Sequence, residues 1–60
     1  TMYEVVISKQ SKTKYNVRLI NWQRNEGIVF GRSFNVSKKE AEKEAKLNAK
    51  LYNAKIIRKK

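Results

Sequence analysis

The chain of 60 residues contains no cysteine, no histidine and no proline, and it has only two glycines. Without cysteine, neither a disulfide nor a cysteine-ligated zinc ion can stabilise the fold. Without histidine, the chain lacks the commonest metal ligand and the usual general base. We therefore expect a protein that is not an enzyme and that uses no metal, no cofactor and no small-molecule substrate.

Long hydrophobic runs are also missing from the sequence. No apolar stretch approaches the roughly 20 residues that cross a bilayer, and no charged and then apolar leader opens the chain. At this length we expect one small domain over residues 1–60, which buries only about 60% of the surface that its unfolded chain exposes. The sequence predicts an intracellular protein without a membrane partner, and it does not distinguish cytoplasm from nucleus.

Positive charge is what the sequence has in excess. Fifteen lysines and arginines stand against five acidic residues, which gives a net charge of +10 on a chain that is 40% hydrophobic. This hydrophobic content favours a folded cation over a disordered tail. Polyanions are then the expected partners, with nucleic acid first and an acidic membrane surface second.

Three segments have the composition of β-strands. Runs of β-branched and aromatic residues, bounded by polar loops, predict strands at about 3–8, 14–22 and 27–35. Gly31 and Ser33 indicate a bulge or a close backbone approach in the third strand. Because short loops join the three strands, we expect an antiparallel meander.

A helix should follow the strands, from about residue 38 to about residue 56. Ser37 and Glu40 have the spacing of a capping box, which marks a helix start. Beyond them, apolar residues fall on one helical stripe that would lie on the sheet: Ala41, Ala45, Ala49, Tyr52 and Ile56. With no glycine or proline to stop the helix, we expect it to fray over 57–60. The predicted fold is a two-layer α+β domain, in which one C-terminal helix covers one face of a three-stranded antiparallel sheet.

Basic side chains are the candidates for binding nucleic acid. A capped helix start attracts phosphate through its free N–H groups and its dipole, and the neighbouring lysines add charge. The helix candidates are Lys38, Lys39, Lys43 and Lys46. The first loop, with Lys9, Lys12 and Lys14, should form a second site set apart from the helix, and Arg18 and Arg32 are candidates on the sheet.

Trp22 has two interpretations. It could stack a base or bury against a second copy of the domain on the open sheet face, or it could cover one end of the small core. We expect the open face to carry Glu4, Val6, Asn16 and Ile20, and so to be poor in basic groups.

The helix start resembles that of the last helix in double-stranded RNA-binding domains, where a Ser-Lys-Lys-x-Ala pattern leads into alanine-rich turns. Here the pattern occupies residues 37–45, while 3–6 and 15–19 are similar to the first two strands of that family, whose own first helix has no counterpart. The resemblance implies that Lys38 and Lys39 span phosphates across a major groove, while the first loop approaches a minor groove. Such domains recognise A-form shape more than sequence.

A second resemblance competes with the first. Residues 34–41 are similar to the Phe-x-Thr segment and Glu-Ala helix start of AP2-type DNA-binding domains and of the arm-binding domains of tyrosine integrases. This resemblance implies that the sheet enters a DNA major groove through residues such as Arg18, Trp22 and Arg32. The favoured function is thus recognition of double-stranded RNA. The alternatives are sequence-selective DNA binding through the sheet, and a dimerisation or scaffold role of the open face near Trp22.

Overall fold

The computed structural model describes residues 2–24 and 26–59. The chain forms four strands and one helix: β1 (Met2–Lys9), β2 (Tyr15–Gln23), β3 (Glu26–Val36), α1 (Lys38–Tyr52) and β4 (Lys55–Lys59). The strands make one sheet in the order β3-β2-β1-β4. The expected α+β class and the helix after the sheet are confirmed, but the expectation of three strands is wrong, because the sheet has four.

The core lies between α1 and the two central strands. β1 and β2 pair antiparallel, with Val5 opposite Leu19 and Ile7 opposite Val17. Since side chains alternate between the two faces of a strand, all four point towards the helix. Val5 and Val17 are completely buried. This alternation places the apolar residues of both strands on the helix-covered face.

The third strand is irregular near its end, as Gly31 and Ser33 indicate. The pairing register of β3 against β2 shifts on both sides of Val17. The ring of Phe34 covers Gly31 so closely that a Cβ there would lie 2.5 Å from a ring carbon. Asn35 takes a left-handed φ of 58°, and its N–H donates to the Asn16 side-chain oxygen at 2.8 Å. The register shifts agree with the expected bulge in the third strand, while a side-chain ring and not a backbone segment lies against Gly31.

The helix begins where the sequence predicts and ends earlier. The Ser37 side-chain oxygen accepts the Glu40 N–H at 3.2 Å, which is the serine half of the capping box. Asn53 then adopts the left-handed conformation, with φ 52° and ψ 47°, and its N–H bonds to the Ala49 carbonyl. The Ala54 N–H bonds to the same carbonyl at 2.8 Å. This C-cap stops the helix at Tyr52, so the expected helix end near residue 56 is wrong.

Residues 55–59 form β4, so the expected fraying over 57–59 is wrong, as is the helical assignment of 55 and 56; residue 60 lies outside the described residues. This strand pairs parallel to β1, with Ile56 beside Val5 and Ile57 beside Val6. The two neighbouring isoleucines are β-branched, which suits a strand better than a helix end. Ile56 packs against the core on the helix-covered face. Ile57 lies on the other face, beside Val6, which is only 7% exposed.

The helix packs closely on the sheet because the residues on its contact face have small side chains. Ala41 and Ala45 are completely buried, as the predicted stripe requires, while Ala49 and Tyr52 are partly buried against the same core. Asn48, which the stripe does not include, is also buried, and its amide nitrogen donates to the Glu44 carbonyl at 2.8 Å. Within the described residues, no helix is long and apolar enough to cross a membrane.

Candidate nucleic-acid interface

One end of the molecule collects much of the positive charge. The β1–β2 loop, the start of α1 and the end of β4 meet there, because β4 runs parallel to β1 and α1 begins where β3 ends. We call this end the basic end. Its lysines and arginines are Lys9, Lys12, Lys14, Lys38, Lys39, Arg58 and Lys59.

A cleft opens at the basic end, with a volume of about 390 Å³. Ile7 and Tyr15 supply its apolar part. Four cationic residues and one acid also line it: Lys9, Lys38, Arg58, Lys59 and Glu42. We call it the basic cleft. It can hold an anionic group against several ammonium and guanidinium groups at once, since a compact anion is best bound where cations converge.

The acid in the basic cleft is tied to the arginine. Two nitrogens of Arg58 donate to the two carboxylate oxygens of Glu42, at 2.8 and 3.1 Å. This paired hydrogen bond lowers the pKa of Glu42 below its ordinary value, with smaller electrostatic help from Arg58 itself, Lys46 and Lys38. The same bond raises the pKa of Arg58. The contact fixes the guanidinium beside the cleft and offsets part of its charge.

The start of α1 adds its own polarity to the cleft. Ser37 caps the helix, and Lys38 lines the cleft from its first turn. Lys9, at the end of β1, lines the same cleft. The sequence suggested that the first loop forms a site set apart from the helix start. In the structure the two are adjacent, because Lys9, where the loop begins, lines the same cleft as Lys38. The loop itself is closed by the N–H groups of Gln10 and Ser11, which bond to the Lys14 carbonyl at 2.9 and 3.1 Å.

The other helix lysines lie outside the cleft. Lys39, Lys43 and Lys46 are exposed, and their positions fall on the side of α1 turned away from the buried alanines. They form a row along the helix that begins at the basic end. Lys12 and Lys14 are exposed in the β1–β2 loop.

The two sheet arginines lie on opposite faces. Arg18 is on the open face, where one of its guanidinium nitrogens donates to the Ser8 hydroxyl at 3.1 Å. The central carbon of the same guanidinium lies 5.4 Å from the centre of the Phe34 ring. Arg32 is on the helix-covered side, where it donates to the Tyr52 hydroxyl at 2.7 Å. Neither lines the basic cleft, so the structure does not bring the sheet candidates together with the helix candidates.

Trp22 lies on the open face, with its ring against Gly27. A Cβ on that glycine would lie 3.0 Å from a ring carbon. The indole N–H donates to a Glu4 carboxylate oxygen at 2.6 Å. The side chain of Trp22 is thus held in place on the sheet and keeps 38% of its surface exposed.

Three contributions to the charged surface come from β4 and were missed by sequence reasoning. Arg58 and Lys59 line the basic cleft, and Lys55 pairs with Glu4 in register, which places it on the open face. The open face is therefore more basic than expected. The signal was present in the sequence, because adjacent β-branched residues favour a strand and flanking cations are typical of a strand at the edge of a sheet.

The arrangement brings cationic side chains together around one opening. Among residues 2–24 and 26–59, no three histidine, cysteine or acidic side chains lie close enough to hold a metal ion. No protein-family model matches the sequence, and comparisons with curated proteins and with solved structures give no significant match.

Proposed function

We propose that this protein is a non-catalytic module that binds double-stranded nucleic acid, preferentially RNA, through the phosphate backbone at its basic end. The observation that carries the proposal is the basic cleft, where Lys9, Lys38, Arg58 and Lys59 surround one opening beside a capped helix start. Phosphate oxygens accept hydrogen bonds from such cations, and the helix dipole favours negative charge at the same place.

The surface beyond the cleft supports a duplex over a single bound phosphate. The lysine row on α1 starts at the basic end and continues to Lys50, about 16 Å further along the helix axis than Lys39. The β1–β2 loop carries Lys12 and Lys14 on the other side of the cleft. Cations spread over this distance can contact several successive phosphates, which is the main source of affinity for a duplex.

The preference for RNA follows from the resemblance of the helix start to that of double-stranded RNA-binding domains. In such a domain the last helix and the first loop act together on one duplex, and here Lys38 and Lys9 line one cleft. The module would then recognise A-form shape and 2′-hydroxyl groups, with little preference for sequence.

A second candidate is DNA binding through the open face. Its support is the charge on that face, where Arg18 and Lys55 accompany Glu4, and the Glu4 carboxylate already accepts the Trp22 N–H. A sheet with exposed basic and amide side chains can enter a major groove, as in other strand-based DNA readers.

The test is a salt series of binding titrations with RNA and DNA duplexes of matched sequence. Fluorescence anisotropy would compare the unmodified chain with a cleft variant, Lys9→Ala with Lys38→Ala, and an open-face variant, Arg18→Ala with Lys55→Ala. A matched control, Arg24→Ala with Arg32→Ala, removes the same charge away from the basic cleft, from the lysine row on α1 and from the open face.

We expect the unmodified chain to prefer RNA and to show a slope of log affinity against log salt of about −4 to −5. The cleft variant should flatten this slope by about 2, and the control should change it much less. Selective loss of DNA binding in the open-face variant would support the second candidate instead. If the cleft variant and the control behave alike, the cleft is not the binding site.

A further inference from the structure

Strand β3 forms one edge of the sheet and is apolar on both faces. Ile28 and Phe30 lie on the helix-covered face and Val29 on the open face, and about half of each side chain is exposed. Long apolar edge strands are uncommon in monomeric proteins, because their free backbone groups pair readily with another strand. The edge of β3 thus has the features of an unfilled pairing site.

The helix leaves a second apolar surface beside this edge. Leu47 and Leu51 are 53% and 69% exposed. On the helical wheel they lie on the flank opposite Glu42, which contacts β4 through Arg58, and so they face the side of β3. They extend the exposed apolar surface that begins with Ile28 and Phe30 on the sheet edge.

The direction of the free backbone groups on β3 follows from the hairpin that it makes with β2. Two residues separate the strands, and in a two-residue hairpin the pair that closes the loop, here Gln23 with Glu26, is expected to be a hydrogen-bonded pair. Hydrogen-bonded and non-bonded pairs alternate along an antiparallel ladder, so Ile28 and Phe30 also bond to β2. The N–H and C=O groups of Gly27, Val29 and Gly31 then point outwards from the sheet edge.

The edge of β3 can pair with the same edge of a second copy in a register centred on Val29. If two copies of β3 run antiparallel with Val29 opposite Val29, then Gly27 lies opposite Gly31, and both are residues with outward backbone groups. In the same register Ile28 meets Phe30 on the helix-covered face, which keeps apolar side chains together.

This register also places oppositely charged side chains across from each other. Glu26 falls opposite Arg32 of the second copy, and the two-fold axis repeats the pair on the other side. Both side chains belong to the helix-covered face, since Glu26 has the same parity as Ile28 and Arg32 contacts Tyr52. The register of β3 against β2 shifts at Arg32, between Gly31 and Ser33, so the regular segment that can pair with a second copy ends at this residue.

We propose that the edge of β3 binds β3 of a second copy of this chain, forming a two-fold dimer with one continuous eight-stranded sheet. In this dimer the two helices lie on the same face of the sheet, and Leu47 and Leu51 of each copy lie on the flank of α1 that faces the seam. The interface does not use the basic cleft, so the proposal is independent of nucleic-acid binding.

The first test is sedimentation velocity of the unmodified chain over a range of concentrations, in salt that screens repulsion between two chains of net charge +10. We expect a monomer–dimer equilibrium with a dissociation constant on the order of micromolar, typical of a small interface. The variant Val29→Pro should remain folded, because the N–H that it removes points away from β2, and its dimer should weaken by at least about tenfold. Circular dichroism melting would verify its fold.

The second test reverses the charges and needs no proline. Glu26→Lys and Arg32→Glu should each weaken the dimer by about three- to tenfold, and the double variant should restore it, because the pair is then inverted on both sides of the axis. The double variant has the net charge of the unmodified chain. A chain that stays monomeric at all concentrations would overturn the proposal. So would a dimer that Trp22→Ala disrupts and Val29→Pro does not, since that dimer would use the open face.

Discussion

Replacing Glu42 with glutamine should strengthen duplex binding, because Glu42 is the one acid that lines the basic cleft. Its carboxylate holds Arg58 through two hydrogen bonds and offsets one positive charge there. Glutamine keeps nearly the same shape and one acceptor oxygen, so the variant releases the charge of Arg58 without emptying the site. The guanidinium then becomes available to a phosphate.

The size of the effect follows from counterion release. One further neutralised phosphate makes the slope of log affinity against log salt steeper by about 0.9, which corresponds to an affinity gain of up to about eightfold at 0.1 M salt. Anisotropy titrations of a labelled duplex at four or five salt concentrations would measure both quantities. Since a generally less acidic surface also attracts a duplex, the increase must exceed that of a control with the same change in charge.

Glu44→Gln is that control. Glu44 lies on the other flank of α1, where one of its oxygens accepts from Asn48 at 3.0 Å, and glutamine can keep that acceptor. We expect the control to raise affinity only slightly and to leave the slope nearly unchanged. Equal effects of the two substitutions, or no effect of Glu42→Gln, would refute the placement of phosphate in the basic cleft.

Three further predictions concern stability. Leu19→Ala should cost about 2–5 kcal/mol, since the side chain is only 2% exposed, out of about 3–9 kcal/mol for a domain of this size; circular dichroism melts should show a much lower midpoint. Asn53→Ala should cost about 1–2 kcal/mol in thermal melts, because alanine resists a φ of 52°, whereas Asn53→Gly should be close to neutral. The lowered pKa of Glu42 makes its ionised form stabilising above the ordinary value of 4.5, so that contribution is lost as pH falls below it; urea midpoints should decrease there, and less steeply in Glu42→Gln.

The parts of the fold that could be predicted are those with a local signal. Alternation in β1 and β2 and the Ser37 cap each specify structure within a few residues, and the observed bounds agree with them. Gly31 indicated an irregularity in the third strand, although it did not show that the ring of Phe34 would cover the glycine. These features depend on neighbours in sequence, which is why one sequence suffices to find them.

The end of the helix could not be predicted by the same reasoning. Asn53 is a weaker stop signal than glycine, and Ile56 continued the apparent helical stripe by coincidence of spacing. Residues 55–59 form a strand because they can pair with the edge of β1 that β2 leaves free. Ile56 and Ile57 are β-branched and suit this pairing. That edge exists only in the folded chain, so the competition between helix and strand is settled by tertiary pairing.

Only part of the candidate site could be predicted from the sequence. Lys38 and Lys9 were both proposed, but their convergence on one cleft depends on the direction of the strands. Arg58 and Lys59 were missed because they were themselves assigned to a fraying helix end. Whether any of these side chains binds nucleic acid stays a prediction.

The parallel pairing of β1 with β4 bears on the order in which the molecule can fold. β1 is central in the sheet, yet its partner on one side lies nearly the full length of the described chain away. On a ribosome the hairpins of β1, β2 and β3 can form early, but the edge of β1 stays open until β4 has left the exit tunnel. Because Arg58 and Lys59 arrive with that last strand, the nascent chain acquires a complete basic cleft only at the step that closes the sheet.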